Sequence, residues 1–278
     1  MSVVEDLTGR QIGPYQIAAS LGKGGMGCVY RAYDPSAARV VAMKILPRQL
    51  ALDPEFAGRF RQEVLVISRL SHPHILPLLD YGQADGYSYM VMPFVETGTL
   101  AHHLQGGPLP IEVIRRAVTQ IGGALDHAHT LGVVHRDVKP PNVLVDAHGN
   151  YLLTDFGVAK LVTGSVKLTK IGLAVGTPTY MSPEQGLGQK VDGRSDLYAL
   201  GVMVYQMATG RVPFKADKPM AVMLMHIQSP LMPPRALNPD LPEEVERVII
   251  TSLAKQPDHR YTTAAEMVRA FHEATARG

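Results

Sequence analysis

The first third of the chain alternates short apolar runs with turn residues. The runs, rich in valine, isoleucine and tyrosine, cover residues 15–21, 28–33, 39–46, 76–81 and 87–92. Because glycines and an Asp-Pro pair punctuate this part of the chain, the runs predict β-strands. Between the third and fourth runs, apolar side chains from Phe56 to Leu70 recur at helical spacing, which predicts a helix that begins near Asp53.

Beyond Gly98 the apolar positions follow a helical period over longer stretches. The predicted helices cover residues 111–131, 195–208, 221–228, 243–254 and 263–274. The last of them has the start of a capping box, with Thr263 followed by Glu266 three residues later. A strand-rich part joined to a helix-rich part predicts two lobes with a hinge near residues 93–98, and a cleft between lobes is a preferred ligand site.

Composition and charge narrow the class of protein. Of the 278 residues, 46% are hydrophobic and 19% are charged, as in ordinary soluble globular proteins. The net charge of +2 provides no basic surface, so no nucleic-acid partner is expected. No apolar run approaches the ~20 residues of a membrane span, and the single Cys28 excludes an intramolecular disulfide. We therefore expect a cytoplasmic chain without membrane contact of its own, either free or as the cytosolic domain of a longer, membrane-anchored protein.

A glycine motif lies between the first two predicted strands. Gly22, Gly24 and Gly27 have the spacing G-x-G-x-x-G, and Val29 follows. Glycines there let the backbone approach phosphate oxygens and leave N–H groups free to donate. A dinucleotide-binding motif has the same spacing but opens a helix, whereas this one continues as a strand. The motif favours a glycine flap over phosphates, and a glycine-rich hairpin turn remains the alternative.

A lysine and a glutamate are expected at apolar positions of neighbouring elements. Lys44 ends the apolar strand 39–46, where a buried ammonium is costly unless it is paired. Glu63 lies on or near the apolar face of the helix that follows. An ion pair between Lys44 and Glu63 would satisfy both charges and aim the ammonium at anionic oxygens. Alternatively, the lysine extends from the strand end into water.

The most specific signal consists of two short motifs. HRDVKPPN occupies residues 135–142, and DFG occupies residues 155–157. Asp137 is the residue type that positions an attacking hydroxyl and accepts its proton. Asn142 and Asp155 supply the oxygen ligands that Mg²⁺ prefers against nucleotide phosphates. Both motifs together, after the glycines and Lys44, indicate phosphoryl transfer.

This ordered set of motifs, completed by Ser182-Pro183-Glu184, resembles the eukaryotic-type protein kinase family. The segments VGTPTYMSPEQ and DGRSDLYALGVMVYQMATGRVPF most closely resemble the bacterial serine/threonine members of that family. The resemblance implies an α+β, two-lobed protein kinase fold, with a small antiparallel β-sheet lobe carrying one main helix and a larger, mainly α-helical lobe. It implies an N-terminal extension over 1–14 and a kinase domain over 15–274. Within that domain the N-lobe covers about 15–92, the hinge 93–98 and the C-lobe 99–274.

The resemblance also implies the site residues, with ATP as the phosphate donor and Mg²⁺ (or Mn²⁺) as the metal. Adenine and ribose contacts are implied for Leu21, Val29, Ala42, Met92, Pro93, Val95, Thr99 and Leu144. Phosphate contacts are implied for Gly22, Gly24, Gly27 and Lys44, with Glu63 as the partner of Lys44. The family assigns Asp137 to the substrate hydroxyl, and Asn142 and Asp155 to the metal. Lys139 is the family's mark of serine/threonine specificity.

Further roles are carried over in the same way. The family's packed column of the active conformation would be Leu78, Ile67, Phe156 and His135. Asp196 would anchor the catalytic loop, and Arg260 would pair with Glu184. Arg136 is expected to be a buried cation that pairs with a phosphate on the activation loop. Phosphorylation is expected mainly at Thr169, then at Thr163 and Ser165, whereas Thr177 would be a structural hydroxyl near Asp137.

Three functions remain at this point. The favoured one is a serine/threonine protein kinase with protein substrates, with activation-loop autophosphorylation and self-association for that step. A pseudokinase that binds nucleotide without catalysis would lack at least one of Lys44, Asp137, Asn142 and Asp155, and all four are present. A small-molecule phosphotransferase of the same fold usually lacks the element at Lys139 and the Ser182-Pro183-Glu184 platform.

Overall fold

The chain forms two compact units. The computed structural model describes residues 6–24, 27–52, 55–157 and 178–276. The N-terminal unit comprises the described residues up to 71 together with 76–96 and Gly157. The C-terminal unit comprises residues 72–75, 97–156 and the described residues from 178 onward, so four residues from the middle of the first unit's sequence belong to the second.

The N-terminal unit is built on a six-stranded antiparallel sheet with the strand order β1-β2-β3-β4-β6-β5. The strands are β1 (Gln11–Ile12), β2 (Tyr15–Gly24), β3 (Gly27–Asp34), β4 (Arg39–Ile45), β5 (Asp80–Ala84) and β6 (Tyr87–Pro93). Along β3 buried and less buried residues alternate, as the period of two in a half-buried strand requires. Tyr30 and Ala32 project from β3 into the core, where they join Val41 and Met43 of β4.

Helix α1 (Phe56–Ile67) packs on the same unit through one apolar face. Phe56, Phe60 and Val64 recur every four residues and are buried, which confirms the predicted helical period. They form a core cluster with Leu46, Leu50 and Met90. The helix begins at Phe56 with Glu55 as its N-cap, later than predicted, and Asp53 lies outside the described residues.

Two strand predictions need correction. The run 76–81 does not form one strand, because β5 begins only at Asp80. Pro77 has no N–H to donate to a ladder, which disfavours pairing over the first half of that run. Pairing also starts earlier than the first predicted strand, because β1 pairs with β2 through Ile12 and Tyr15.

The C-terminal unit is mainly helical. Its helices are α2 (Leu100–His103), α3 (Ile111–Thr130), α4 (Pro183–Gly186), α5 (Gly193–Thr209), α6 (Pro219–Gln228), α7 (Glu243–Ser252) and α8 (Ala264–Ala276). A two-stranded antiparallel hairpin of β7 (Val143–Val145) and β8 (Tyr151–Leu153) is the only sheet in the part of this unit that the structure describes. Five of these helices match the predicted ones within about two residues at either end, which is the usual uncertainty of helix boundaries.

Helix α5 forms the centre of this unit. It is buried on all sides, so its sequence lacks a polar face. The Asp192 side chain accepts a hydrogen bond from the backbone N–H of Arg194 at 2.9 Å and caps the N-terminus. At the other end, Gly210 with φ of 72° terminates the helix in the left-handed conformation.

The predicted capping box of the last helix is present in altered form. Thr263 Oγ1 accepts a hydrogen bond from the backbone N–H of Glu266 at 3.1 Å. The Glu266 carboxylate accepts from the N–H of Thr262, one residue before the capping residue, at 2.8 Å. The cap therefore still satisfies two backbone donors at the start of α8.

Candidate active site

One buried carboxylate holds the backbone of the loop with the HRD motif, residues 135–142. Asp196, in the first turn of α5, accepts hydrogen bonds from the backbone N–H groups of His135 and Arg136, both at 2.8 Å. Arg136 has a φ of 68°, a conformation that costs a non-glycine residue free energy unless its surroundings enforce it. A third bond, from Gln185 Nε2 to the Arg136 carbonyl at 2.9 Å, holds the other side of that residue. The expected anchoring role of Asp196 is confirmed.

The same carboxylate has a histidine partner that sequence reasoning missed. His129 Nε2 lies 2.8 Å from Asp196 Oδ2. The ring also packs so closely on Gly193 that a Cβ at that position would lie 2.7 Å from His129 Nδ1. Glycine at the first position of α5 thus leaves the space that the imidazole needs. No sequence pattern singles out His129 or Gly193 for this role, because the contact spans 67 residues.

Asp137, Lys139 and Asn142 meet in one cluster. Lys139 Nζ lies 2.8 Å from Asp137 Oδ2, and Asn142 Nδ2 donates to the same oxygen at 3.0 Å and to the Asp137 carbonyl at 2.8 Å. The Asp137 side chain is 19% exposed. Within the described part of the chain, Asp137 Oδ1 has no hydrogen-bond partner. One carboxylate oxygen is therefore fixed, while the other remains available to a substrate.

The DFG motif is tied to this loop through Thr154. The Thr154 N–H donates to the Asn142 carbonyl at 3.0 Å, and the Thr154 carbonyl lies 2.8 Å from His135 Nε2. Since His135 Nδ1 accepts from the Asp137 N–H at 3.2 Å, Nε2 carries the proton and donates. The His135 ring also lies 4.5 Å from that of Phe156, centroid to centroid.

The side-chain oxygen atoms of Asn142 and Asp155 are suitable ligands for a divalent cation. Asn142 uses its amide nitrogen for both bonds to Asp137, and its Oδ1 has no hydrogen-bond partner among the residues described. Asp155 contributes a carboxylate and has a φ of 69°, the second strained non-glycine backbone at this site. A carboxamide oxygen and a carboxylate are ligands that Mg²⁺ accepts beside phosphates and water.

A second cluster supports the segment after the loop. Ser182 caps α4, since its Oγ accepts from the Gln185 N–H at 3.4 Å and donates to Gln185 Oε1 at 3.1 Å. Arg260 forms a bidentate ion pair with Glu184, with both N···O distances at 2.8 Å, which confirms the expected pair. Burial raises the pKa of Glu184, but the hydrogen bonds from Arg260 and Ser195 outweigh it and hold that pKa below its ordinary value.

In the N-terminal unit, Lys44 and the three glycines lie on the sheet. Lys44 is 4% exposed and stands opposite Val29 in the register of β3 and β4. A Cβ on Gly27 would lie 2.3 Å from the Ile45 carbonyl oxygen, so glycine is required there. Gly22 and Gly24 have open space around them, so packing does not demand glycine at either position. Glu63 is half-buried on α1, and its pairing with Lys44 stays a prediction.

The residues implied for adenine and ribose fall in both units. Those of the N-terminal unit are Leu21, Val29, Ala42, Met92, Pro93 and Val95. Ala42 and Met92 are cross-strand partners, whereas Leu21 is 47% exposed. In the C-terminal unit, Thr99 and Leu144 are brought together by an isolated β-bridge.

The expected phosphorylation sites Thr163, Ser165 and Thr169, together with Thr177, lie outside the described residues. Arg136 is half-buried, so the expectation of a buried cation was wrong. Its backbone N–H and carbonyl are both held by side chains of neighbouring elements, Asp196 and Gln185. In the resolved ranges of the chain, its guanidinium has no ion-pair partner.

Comparison with known proteins gives one consistent family. The family model described as "protein kinase domain" matches residues 15–272. The chain is 39% identical over 267 residues to the serine/threonine-protein kinase PknH of Mycobacterium bovis, covering 96% of this chain and 45% of that protein. It is 41% identical over 263 residues to the serine/threonine-protein kinase PrkC of Bacillus subtilis, covering 94% of this chain and 40% of that protein. The chain thus spans less than half the length of these curated relatives.

A solved structure extends the match to three dimensions. The kinase domain of PknI from Mycobacterium tuberculosis superimposes with a TM-score of 0.78 at 32% identity, covering 98% of this chain and 100% of that one. The match includes both the antiparallel sheet and the helical unit. With the anchored HRD loop, the DFG motif tied to it and the Glu184–Arg260 pair in place, this chain belongs to the protein kinase domain family.

Proposed function

We propose that this chain is the catalytic domain of a serine/threonine protein kinase, which transfers the γ-phosphate of ATP to serine or threonine hydroxyls of proteins. The observation that carries the proposal is the geometry at Asp137. One oxygen of its carboxylate is held by Lys139 and Asn142, and the other is open to a substrate hydroxyl. The named relatives, all serine/threonine-protein kinases, support the same conclusion.

In this proposal Asp137 orients the attacking hydroxyl and accepts its proton as the oxygen bonds to phosphorus. Lys139 keeps the Oδ2 atom of Asp137 occupied, and its ammonium offsets negative charge on the transferred group. Asn142 fixes the rotamer of Asp137 from the other side. The bridge through Thr154 keeps Asp155 at a constant position relative to this group.

The family implies ATP and a divalent metal ion, and we assign Mg²⁺ to Asn142 and Asp155. When bound, the ion neutralises phosphate charge during transfer. Lys44 is assigned to the α- and β-phosphates, with Glu63 as its partner, by resemblance to the family. The adenine and ribose contacts proposed above complete the nucleotide site.

Lys139 and the segment after residue 177 favour a serine or threonine acceptor over a small molecule. The α4 platform is braced by the Ser182 cap and the Glu184–Arg260 pair, so it offers a rigid surface to a peptide. Rigid positioning of two reactants is itself a large source of rate enhancement.

The test uses purified protein with Mg²⁺, labelled ATP and three peptides that differ only in a serine, threonine or tyrosine acceptor. We expect labelling of the first two peptides and a loss of at least about a hundredfold with Asp137→Asn, the usual effect of losing a general base. Asp258→Asn, an exposed aspartate, is the matched control and should keep full activity. Nucleotide binding without labelling would indicate a pseudokinase. Labelling of the tyrosine peptide alone would refute the assigned acceptor.

We also propose regulation by autophosphorylation at Thr169, with Thr163 and Ser165 as secondary sites, through association of two copies. The Arg136 guanidinium, without an ion-pair partner in the described ranges, is the proposed donor of hydrogen bonds to that phosphate. Mass spectrometry after incubation with ATP would locate the phosphates.

None of the helices in the described ranges of the chain has both the length and the apolar composition to cross a bilayer.

A further inference from the structure

A pocket lies on the C-terminal unit among α3, the β7–β8 hairpin and α8. It has a volume of about 380 Å³, and its polar lining residues are Glu112, Arg115, Arg116, Thr119, Gln120, Tyr151 and His272. This volume is within the range of small-molecule sites in proteins. None of these side chains belongs to the group of residues assigned to phosphoryl transfer.

Tyr151 is one of the residues that line this pocket. The residue is 4% exposed, and its backbone is fixed by a bond from its N–H to Gln120 Oε1 at 2.8 Å. Its hydroxyl has no hydrogen-bond partner in the described part of the chain, and its oxygen is not fully buried. Burial raises the pKa of Tyr151, although the charge of Arg116 opposes the shift, so the hydroxyl keeps its proton at neutral pH. It is a fixed donor that a ligand could use.

The two arginines of the pocket differ in their partners. Arg115 donates from Nε to Glu112 Oε2 at 3.0 Å, so this pair of charges is internally neutralised. Arg116 is exposed and forms no ion pair with any residue in the resolved ranges. Arg116 and Tyr151 both line the pocket, and the positive charge of Arg116 opposes the rise in the pKa of Tyr151. Among the described residues, the pocket is therefore lined by a cation without an ion-pair partner and by a tyrosine whose O–H has no hydrogen-bond partner.

The third side of the pocket has a histidine whose tautomer follows from its contacts. Thr119 Oγ1 donates to the Arg115 carbonyl at 2.7 Å, so it can only accept from His272 Nε2, which lies 2.8 Å away. His272 therefore carries its proton on Nε2 and is held in one orientation. Its ring forms a fixed wall of the pocket rather than a mobile surface side chain.

We propose that this pocket binds a small organic oxyanion, a phosphate monoester or a carboxylate, through the Arg116 guanidinium and the Tyr151 hydroxyl. A guanidinium offers two parallel N–H donors that match either anion, and the phenol adds a third donor from a rigid position. The volume leaves room for a ring-sized organic group beside the anionic one. The proposal concerns binding only and does not depend on kinase activity.

The experiment is a titration of the isotope-labelled 278-residue chain, followed by nuclear magnetic resonance, with phenyl phosphate, benzoate and phenol as probes. We expect both anions to shift the signals of Tyr151, Thr119 and His272, and the neutral phenol to leave them unchanged. Tighter binding of phenyl phosphate would assign the site to phosphate monoesters, and tighter binding of benzoate would assign it to carboxylates. Binding should weaken as salt is added, since the attraction is between charges.

Two variants test the residues. Arg116→Gln should weaken anion binding at least about tenfold, because a charge-assisted hydrogen bond contributes more than a neutral one. Tyr151→Phe removes only the hydroxyl and should weaken it about threefold or more. Arg247→Gln, an exposed arginine on α7, is the matched control and should bind as wild type does. Equal binding by Arg116→Gln and wild type, or signal shifts confined to the residues around Asp137, would overturn the proposal.

Discussion

Replacement of Arg260 by methionine should be among the most destabilising single changes in the C-terminal unit. The guanidinium is fully buried, and each of its five N–H donors is in use. Two donate to Glu184, at 2.8 Å each, and the others donate to the carbonyls of Ala254, Arg194 and Lys255 at 2.8, 3.1 and 2.9 Å.

The magnitude follows from what Arg260→Met leaves behind. Glu184 would remain as a buried carboxylate with only the Ser195 hydroxyl as a side-chain donor, and three backbone carbonyls would lose a partner. Breaking a buried ion pair by removing one partner costs about 3–5 kcal/mol, and the carbonyls place this site at the upper end of that range. For a protein of this size the loss corresponds to a melting temperature about 6–20 °C lower.

The assay is thermal and urea unfolding followed by circular dichroism, with Arg247→Ala as the matched control. Arg247 also contacts two glutamates, Glu243 at 2.9 Å and Glu244 at 3.1 Å, but its side chain is 61% exposed. Exposed ion pairs contribute about 0–1 kcal/mol, so this control should unfold close to wild type. If Arg260→Met lost no more stability than Arg247→Ala, the reasoning from burial and donor count would be refuted.

The same pair makes a prediction about acid. Since the folded pKa of Glu184 is below its ordinary value of 4.5, the stability that the carboxylate contributes is present above that pH and is lost as the pH falls through the lowered value. Glu184→Gln should therefore unfold at lower temperature than wild type at neutral pH. The difference between the two proteins should shrink below pH 4.5. A difference that is constant over this range would contradict the depressed pKa.

Three further predictions concern single side chains. Burial, followed by the charge of Lys255, lowers the pKa of His226 from 6.5 to about 4, so the wild type should lose stability as the pH falls from 6.5 toward 4 and His226→Gln should lose less. The slope is at most about 1.4 kcal/mol per pH unit. His129→Leu should lower kcat about tenfold with unchanged KM for ATP, because it removes the bond to the carboxylate that anchors the catalytic loop, and His129→Gln should recover part of the loss. Thr263→Ala should lower the free energy of unfolding by about 1 kcal/mol through loss of the α8 cap.

Each of these has a control in the chain. For His226 it is the exposed His103→Gln, which should leave the pH dependence of unfolding as in wild type. For His129, a rise in KM for ATP by as large a factor as the fall in kcat would indicate general disruption of the fold rather than misplacement of the loop. For the cap, Thr263→Ser keeps the hydroxyl, and a loss equal to that of Thr263→Ala would contradict capping.

Much of the fold was predictable because local periodicity and burial agree. Phe56, Phe60 and Val64 show the helical period of α1 in the sequence, and they are buried in the structure. The failures occurred where local pattern and pairing differ. The run 76–81, which contains Pro77, is as apolar as a strand, but strand pairing begins only at Asp80. Apolar content alone does not show which backbone groups will pair.

The site was predictable to a different extent. Asp137, Asn142 and Asp155 were predicted because phosphoryl transfer requires specific groups at a fixed order along the chain, and the structure brings Asp137 and Asn142 into contact. His129 was not found, because its role depends on Gly193 leaving space and on Asp196 lying beside it. Such a contact arises from the packing of α3 against α5 and has no signature in either helix alone.

The left-handed backbones of Arg136 and Asp155 have a consequence for attempts to make this protein more robust. Glycine would relieve about 1–3 kcal/mol of strain at either position, so a search guided by thermal tolerance alone would favour it. Either exchange would delete a side chain on which the proposed function depends, the Arg136 guanidinium or the Asp155 carboxylate. A variant selected for heat resistance at these two positions would therefore lose a group that we assign to phosphate or metal binding.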